Sequence, residues 1–211
     1  MTIIQPKNRE DLVQRLALME LELWCFERAL AAGSAEAASY SAGAPSGAPE
    51  YGRWARSTEE LHNGVMGMRR NWKRTDPMNQ PTWISEEKYR ALVVSSGDEF
   101  TGVNYGNPSN RNPKGTSFGA LVSANGQGTF FDAVSESGQL VNIKETWVFL
   151  YHAREGFVYS EISLPVAMPG TYIETWQDRI ILPRFDGGTN HFEAAIDDGP
   201  AQDFEFKIQR R

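Results

Sequence analysis

Apolar positions repeat with two different periods in the two halves of the chain. Leu12, Leu16, Met19, Leu23, Phe26 and Leu30 follow one another at steps of four, three, four, three and four. That 3.5-residue seam predicts one amphipathic helix. Asn8 precedes it as a cap, Glu10 and Asp11 occupy the first turn where the dipole favours acids, and Gly33 marks the expected stop. Such a seam either packs on its own domain or serves self-association through those six residues.

Ser57 with Glu60 three residues later has the form of a capping box and predicts a second helix. Leu61, Val65, Met68 and Trp72 carry its seam, although Gly64 and Gly67 weaken it by about 1 kcal/mol each relative to Ala. Residues 33–56, rich in Ala, Ser, Gly and Pro, read as a linker or long surface loop. Beyond Pro77 and Pro81, Ser85-Glu86-Glu87 predicts a short helix through Leu92, and Val93 and Val94 begin a sheet.

The period changes to two in the second half. Between Lys144 and Phe185, KETWVFLYHA, FVYSEISLPV and YIETWQDRIILPRF are separated by Arg154-Glu155-Gly156 and Pro169-Gly170. These runs of β-branched and aromatic residues predict an antiparallel meander. Trp147, Phe149 and Tyr151 alternate with Val148 and Leu150, so the central strand is apolar on both faces and needs cover on both. Asn125-Gly126 predicts a hairpin between SFGALVSA and TFFDAVSE, and HFEAAI and DFEFKI read as closing strands.

The expected class is therefore α+β, an N-terminal helical hairpin packed on a mostly antiparallel β-sandwich or open barrel. Its predicted parts are an amphipathic helix (1–32), a linker (33–56), a helical segment with a basic end (57–95) and an antiparallel β domain (96–211). A single cysteine, Cys25, rules out an intramolecular disulfide and a Cys-rich zinc site. The N-terminus has no apolar signal core, and no run reaches the roughly 18 apolar residues of a membrane span. The expectation is a protein of the cytoplasm, or of a virion assembled there.

Charge is distributed unevenly. Residues 61–120 carry eight Lys or Arg against five acids, and residues 121–211 carry seven against thirteen. The basic excess lies in Arg69, Arg70, Lys73 and Arg74, interleaved with Trp72, and in the Gly/Asn/Pro loop holding Arg111 and Lys114. Cations at a helix end partly serve the dipole, but four in six residues exceed that need and fit phosphate contacts. The loop adds backbone N–H groups able to form an anion nest. Together they predict a non-catalytic binding protein for nucleic acid or a nucleotide. The argument requires the two segments to be neighbours.

Other chemistry is weaker. Gly115-Thr116-Ser117-Phe118-Gly119 matches a nucleophile elbow, but a loop precedes it and a strand-like run follows. His62, His152 and His191 lack metal-helix spacing, and neither metal nor cofactor is expected. Glu145, Glu161, Glu174 and Asp178 in the meander offer a carboxylate-dependent hydrolase or nuclease, with Ser163 where a Glu-x-Lys strand has lysine. A two- or four-residue turn separates Glu145 from Glu161 across the sheet, whereas a bulged odd turn unites them. The remaining reading is an interaction or assembly protein of phage structural type, by analogy of architecture.

Overall fold

One short strand and three helices precede the other strands of an open mixed sheet in the computed structural model, which describes residues 2–4, 6, 8–76, 80–128, 130–134, 140–187 and 191–192. In chain order the elements are β1 (Thr2–Ile4), α1 (Arg9–Leu18), α2 (Leu23–Ser39), α3 (Ala48–Gly67), β2 (Trp72–Thr75), β3 (Thr82–Ser85) and β4 (Arg90–Ser96). They continue with α4 (Thr116–Gln127), β5 (Phe131–Val134), β6 (Leu140–Ile143), β7 (Glu145–Arg154), β8 (Phe157–Ala167), β9 (Thr175–Ile181), β10 (Phe185–Asp186) and β11 (His191–Phe192). The main sheet has the order β1-β9-β8-β7-β4-β3-β2, with β10 and β11 added beside β8, while β5 and β6 pair separately. Only β1·β9 and β4·β7 are parallel among the described pairings. The fold is α+β with N-terminal helices, and its sheet is open.

The meander forms as its alternation predicts. Arg154 pairs with Phe157 across a two-residue turn in which Glu155 and Gly156 both have positive φ, 54° and 84°. One face of the sheet presents Leu92, Val94, Trp147, Phe149, Tyr151, Ile162 and Ile180 to the first three helices. The opposite face presents Val93, Val148 and Leu150 to Phe118 and Val122 of α4 and to Ile173 and Trp176. Both faces of β7 are covered, as its two apolar stripes demand.

The first seam is buried as expected, with Leu16 and Phe26 at 0 % exposure, but it spans two helices. Glu20, at φ 60°, ends α1 in a Schellman turn closed by Leu21 N–H on the Leu16 carbonyl at 2.9 Å. Glu20 is held from the sheet side: the Trp72 indole donates to its carbonyl at 3.1 Å and the Ser85 hydroxyl to Oε2 at 3.0 Å. Those bonds offset the left-handed strain of a residue other than glycine. The six seam residues thus pack within this chain.

The predicted linker is largely helical. Gly33 lies inside α2, and a Cβ there would stand 2.0 Å from Ser57 Oγ and 2.8 Å from the Arg53 carbonyl. Its lack of a side chain lets α2 and α3 touch, which outweighs its poor propensity. Helix α3 begins at Ala48 with Pro49 in its first turn, so Ser57 is an interior residue, fully buried, rather than a cap. Residues 72–75 form strand β2, and Trp72 is buried there at 3 % exposure. The expected short helix after Ser85 is the turn between β3 and β4.

Asn125-Gly126 is not a hairpin turn. Both residues sit in α4, where the Asn125 amide donates to the Thr146 and Pro165 carbonyls at 2.9 and 2.8 Å and accepts from Thr146 N–H at 2.8 Å. Gly126 lies so close to Val166 that a Cβ would stand 2.3 Å from its carbonyl oxygen. The pair is a docking point of helix on sheet. Of the expected closing strands, HFEAAI begins at β11 and DFEFKI lies outside the described residues. No helix among the described residues is long and apolar enough to cross a membrane.

Candidate functional site

The basic residues singled out from sequence fall at two ends of the sheet. Trp72 pairs with Ser85, and Ser85 with Arg90 at the start of β4, which places Arg69, Arg70 and Lys73 at that end. Arg111 donates its N–H to the carbonyl of Ser96 at the other end of β4. The strand between them spans roughly 20 Å at about 3.3 Å per residue. The structure does not bring the two basic segments together.

Most of these cations also have acidic neighbours. Arg70 stands 3.5 Å from Glu22, Lys73 2.9 Å from Glu86, Arg74 3.2 Å from Asp76 and Arg111 3.8 Å from Glu50. Arg69 turns the chain at φ 52°, and Lys114 lies 5.6 Å from the Phe118 ring, where burial pulls its ammonium below the ordinary lysine range. The Gly/Asn/Pro loop does gather N–H groups around anions, but they are the protein's own. Phe100 and Ser109 N–H donate to Asp98 at 3.1 and 3.0 Å, and Gly102 N–H donates to Glu161 at 2.8 Å. Burial pushes the Asp98 carboxyl up, more than these two N–H bonds lower it.

Glu161 is committed further. It and Arg179 are both at 0 % exposure and form a side-on pair, with Ser163 Oγ donating to Glu161 Oε1 at 2.7 Å. The cation missing from the Glu-x-Lys pattern therefore arrives from β9. Arg179 also donates to the Val103 and Phe100 carbonyls at 3.0 and 3.3 Å, so the pair pins the 98–110 loop to the sheet. The two-residue turn puts Glu145 on the helix-covered face and Glu161, opposite Leu150, on the other. Glu145 pairs with Arg90 at 2.7 Å, Asp178 opposes Leu164 on the helix-covered face, and Glu174 precedes β9. The four carboxylates do not share one face.

The nucleophile-elbow pattern differs from expectation in its second half, because a helix, α4, does follow Ser117; Gly115 before it is extended loop. His62 accepts from the Trp83 indole at 3.3 Å, His152 Nδ1 lies 3.1 Å from the Gly97 carbonyl, and His191 lies in β11. Among the described residues no three His, Cys, Asp or Glu side chains converge as a metal site.

A concave site that sequence reasoning missed lies where the end of α2 and the start of α3 meet the tip of the β7–β8 hairpin. Its cavity of about 410 Å³ is lined by Ala37 and Ala38, by Glu50 and Arg53, and by Ala153 through Val158. Arg53 Nη1 donates to Ser34 Oγ at 3.0 Å, and its Nε stands 3.6 Å from Glu50 Oε1. Arg111 Nη1 stands 3.8 Å from the other Glu50 oxygen. One carboxylate is thus shared by two guanidinium groups, each beyond hydrogen-bond length. Buried Arg53 Nε has no hydrogen-bond acceptor.

The Tyr151 hydroxyl, also without a hydrogen-bond partner, belongs to the same neighbourhood. Burial and then the Glu50 charge push it well above the usual tyrosine range, with Arg53 and Arg111 opposing. Of the residues expected to bind anions, Arg111 alone reaches this cluster, through Glu50. Pro49 ahead of Glu50 and Arg53 at a three-residue spacing was the available sign of a helix start, hidden in a stretch read as linker. Comparison with protein-family models, curated proteins and solved structures finds no match.

Proposed function

We propose that the chain is a non-catalytic binding protein that takes an anionic group of a small ligand, a carboxylate or a phosphate, on Arg53 and Arg111. The observation that carries this reading is the two-to-one ratio of guanidinium to carboxylate around Glu50, with neither guanidinium within hydrogen-bond length of it. Two guanidinium groups that share one carboxylate keep N–H donors for a second anion, and the Arg111 side chain is accessible at 54 % exposure. The volume supports a small molecule over a lone ion, since about 410 Å³ falls in the usual ligand range of roughly 300–1,000 Å³. A nucleotide belongs to this ligand class.

Calorimetric titration at low salt with orthophosphate, acetate and adenosine monophosphate tests the site. Binding that weakens at least about tenfold in Arg53→Gln and in Arg111→Gln is expected, because each removes charge-assisted bonds. Failure of all three anions to bind wild type would reject the reading. An oligonucleotide that responds to Lys73→Glu but not to Arg53→Gln would move the anion site to β2.

A second reading, assembly through protein contacts, draws on the far end of the sheet. Leu18, Tyr89 and Phe130 are 77 %, 47 % and 56 % exposed, and the Tyr89 and Phe130 rings meet edge to face at 5.6 Å. Arg90, next to Tyr89 in the chain, holds the Leu18 carbonyl at 3.0 Å. Sedimentation of wild type against Leu18→Ser/Phe130→Ser measures whether this patch is used.

A further inference from the structure

Small apolar side chains from three elements wall the cavity. Ala37 and Ala38 come from the end of α2, Pro49 from the first turn of α3, and Ala153 and Val158 from the β7–β8 hairpin. Val158 belongs to the main core and Ala153 packs against it, so this wall adjoins the helix-covered face of the sheet. Among the described lining residues Ser34 is the one uncharged polar side chain, and its Oγ already accepts from Arg53 Nη1 at 3.0 Å. Of the lining glycines, Gly187 N–H donates to the Gly156 carbonyl at 2.9 Å. Little is left to recognise the hydroxyls of a sugar or the edge of a base.

Charge narrows the head group. Glu50 and Arg53, with Arg154 and Glu155 at the hairpin tip, give the lining two charges of each sign. Arg111, 3.8 Å from Glu50, adds one more positive charge. A monoanion balances that single excess, whereas a phosphate monoester carries about −1.5 to −2 at neutral pH and overshoots it. Charge taken out of water is costly unless it is matched, so the balance favours a carboxylate.

From the wall and the charge balance together we infer that the ligand is an apolar monocarboxylic acid of the aliphatic type. Its carboxylate lies on Arg53 and Arg111, and its hydrocarbon body lies on Ala37, Ala38, Ala153 and Val158. This ligand class rests on the anion-binding reading above and narrows it to a carboxylate with an apolar body.

The test titrates acetate, butanoate, hexanoate, hexyl phosphate and orthophosphate into the full chain. Affinity is expected to rise about fourfold for each methylene placed on the wall, making hexanoate at least about tenfold tighter than acetate. Hexanoate is also expected to bind tighter than hexyl phosphate. Ala38→Asn, at an exposed position of the wall, is expected to cut the gain from acetate to hexanoate by at least about threefold while leaving acetate unchanged. Arg53→Gln is expected to weaken every chain length by the same factor. If acetate and orthophosphate bind and hexanoate binds no tighter than acetate, the apolar-acid inference is overturned and the anion reading stands. Tighter binding of hexyl phosphate than of hexanoate, or a chain-length gain untouched by Ala38→Asn, overturns it as well. If none of the five anions binds, both are overturned.

Discussion

Arg179 meets Glu161 side-on, Nε to Oε1 at 3.0 Å and Nη2 to Oε2 at 2.6 Å, with neither side chain accessible to solvent. The pair closes the underside of the 98–110 loop, where Gly102, at φ 71°, approaches the sheet too closely for a Cβ, which would lie 2.5 Å from Ser160 N. Removing one member strands a buried charge, a loss of about 3–5 kcal/mol. Glu161→Gln and Arg179→Met are each expected to lower the unfolding free energy obtained from urea curves by that amount, and the double variant by less than their sum. Denaturation curves of the three variants measure it. Singles within 1 kcal/mol of wild type would show that the loop is anchored elsewhere.

Asn125 ties α4 to two strands at once through its three amide bonds. Asn125→Ala leaves the Thr146 N–H and two carbonyls to find other partners, at about 1–3 kcal/mol for a buried group left unsatisfied. The expected outcome is a lower melting temperature with an unchanged helix signal at room temperature. Asn125→Asp restores the acceptor but not the donors and should fall short of wild type.

Cys25 is fully buried where α3 crosses α2, and a Cβ on Gly64 would lie 3.1 Å from its Sγ. Burial, and then the Glu22 charge, push its thiol up from 9.0 to about 12. A raised folded value means stability that is intact below pH 9.0 and is lost as pH rises toward 12. A thiol reagent at pH about 8 should label the native protein only as fast as it opens. Rapid labelling without denaturant would contradict the helix packing.

Glu145 has the opposite sign. Burial raises its carboxyl, but the bonds from Arg90 and Trp147, with the Arg90 charge, outweigh it and hold the group below the ordinary 4.5. Its contribution is present above pH 4.5 and is lost as pH falls through the folded value. Glu145→Gln is expected to flatten that part of the acid unfolding curve. Equal acid limbs in wild type and variant would remove Glu145 from the pH response.

Local patterns failed in particular places for a shared reason. Gly33 and Asn125-Gly126 are backbone signals worth on the order of 1 kcal/mol, and each was overridden where an element packed against another. Glu20 adopts a glycine-like turn because Trp72 and Ser85, remote in sequence, bond to it. The candidate cavity was illegible for the same cause. Arg53, Glu50 and Glu155 are ordinary charged residues until α2, α3 and the hairpin tip converge, and Arg111 was selected for its loop and charge rather than for that meeting.

The sequence by itself determined the α+β class, the β7–β8 hairpin, the burial of the helical seam and the need for cover on both faces of β7. These follow from side-chain periodicity and turn chemistry, which act between residues close in the chain. Tertiary structure alone decided where α1 ends and how far α2 runs. It also decided that Glu161 serves Arg179 and that Arg53 and Arg111 share Glu50. Those outcomes depend on distances between remote segments, where burial and paired charge outweigh local preference.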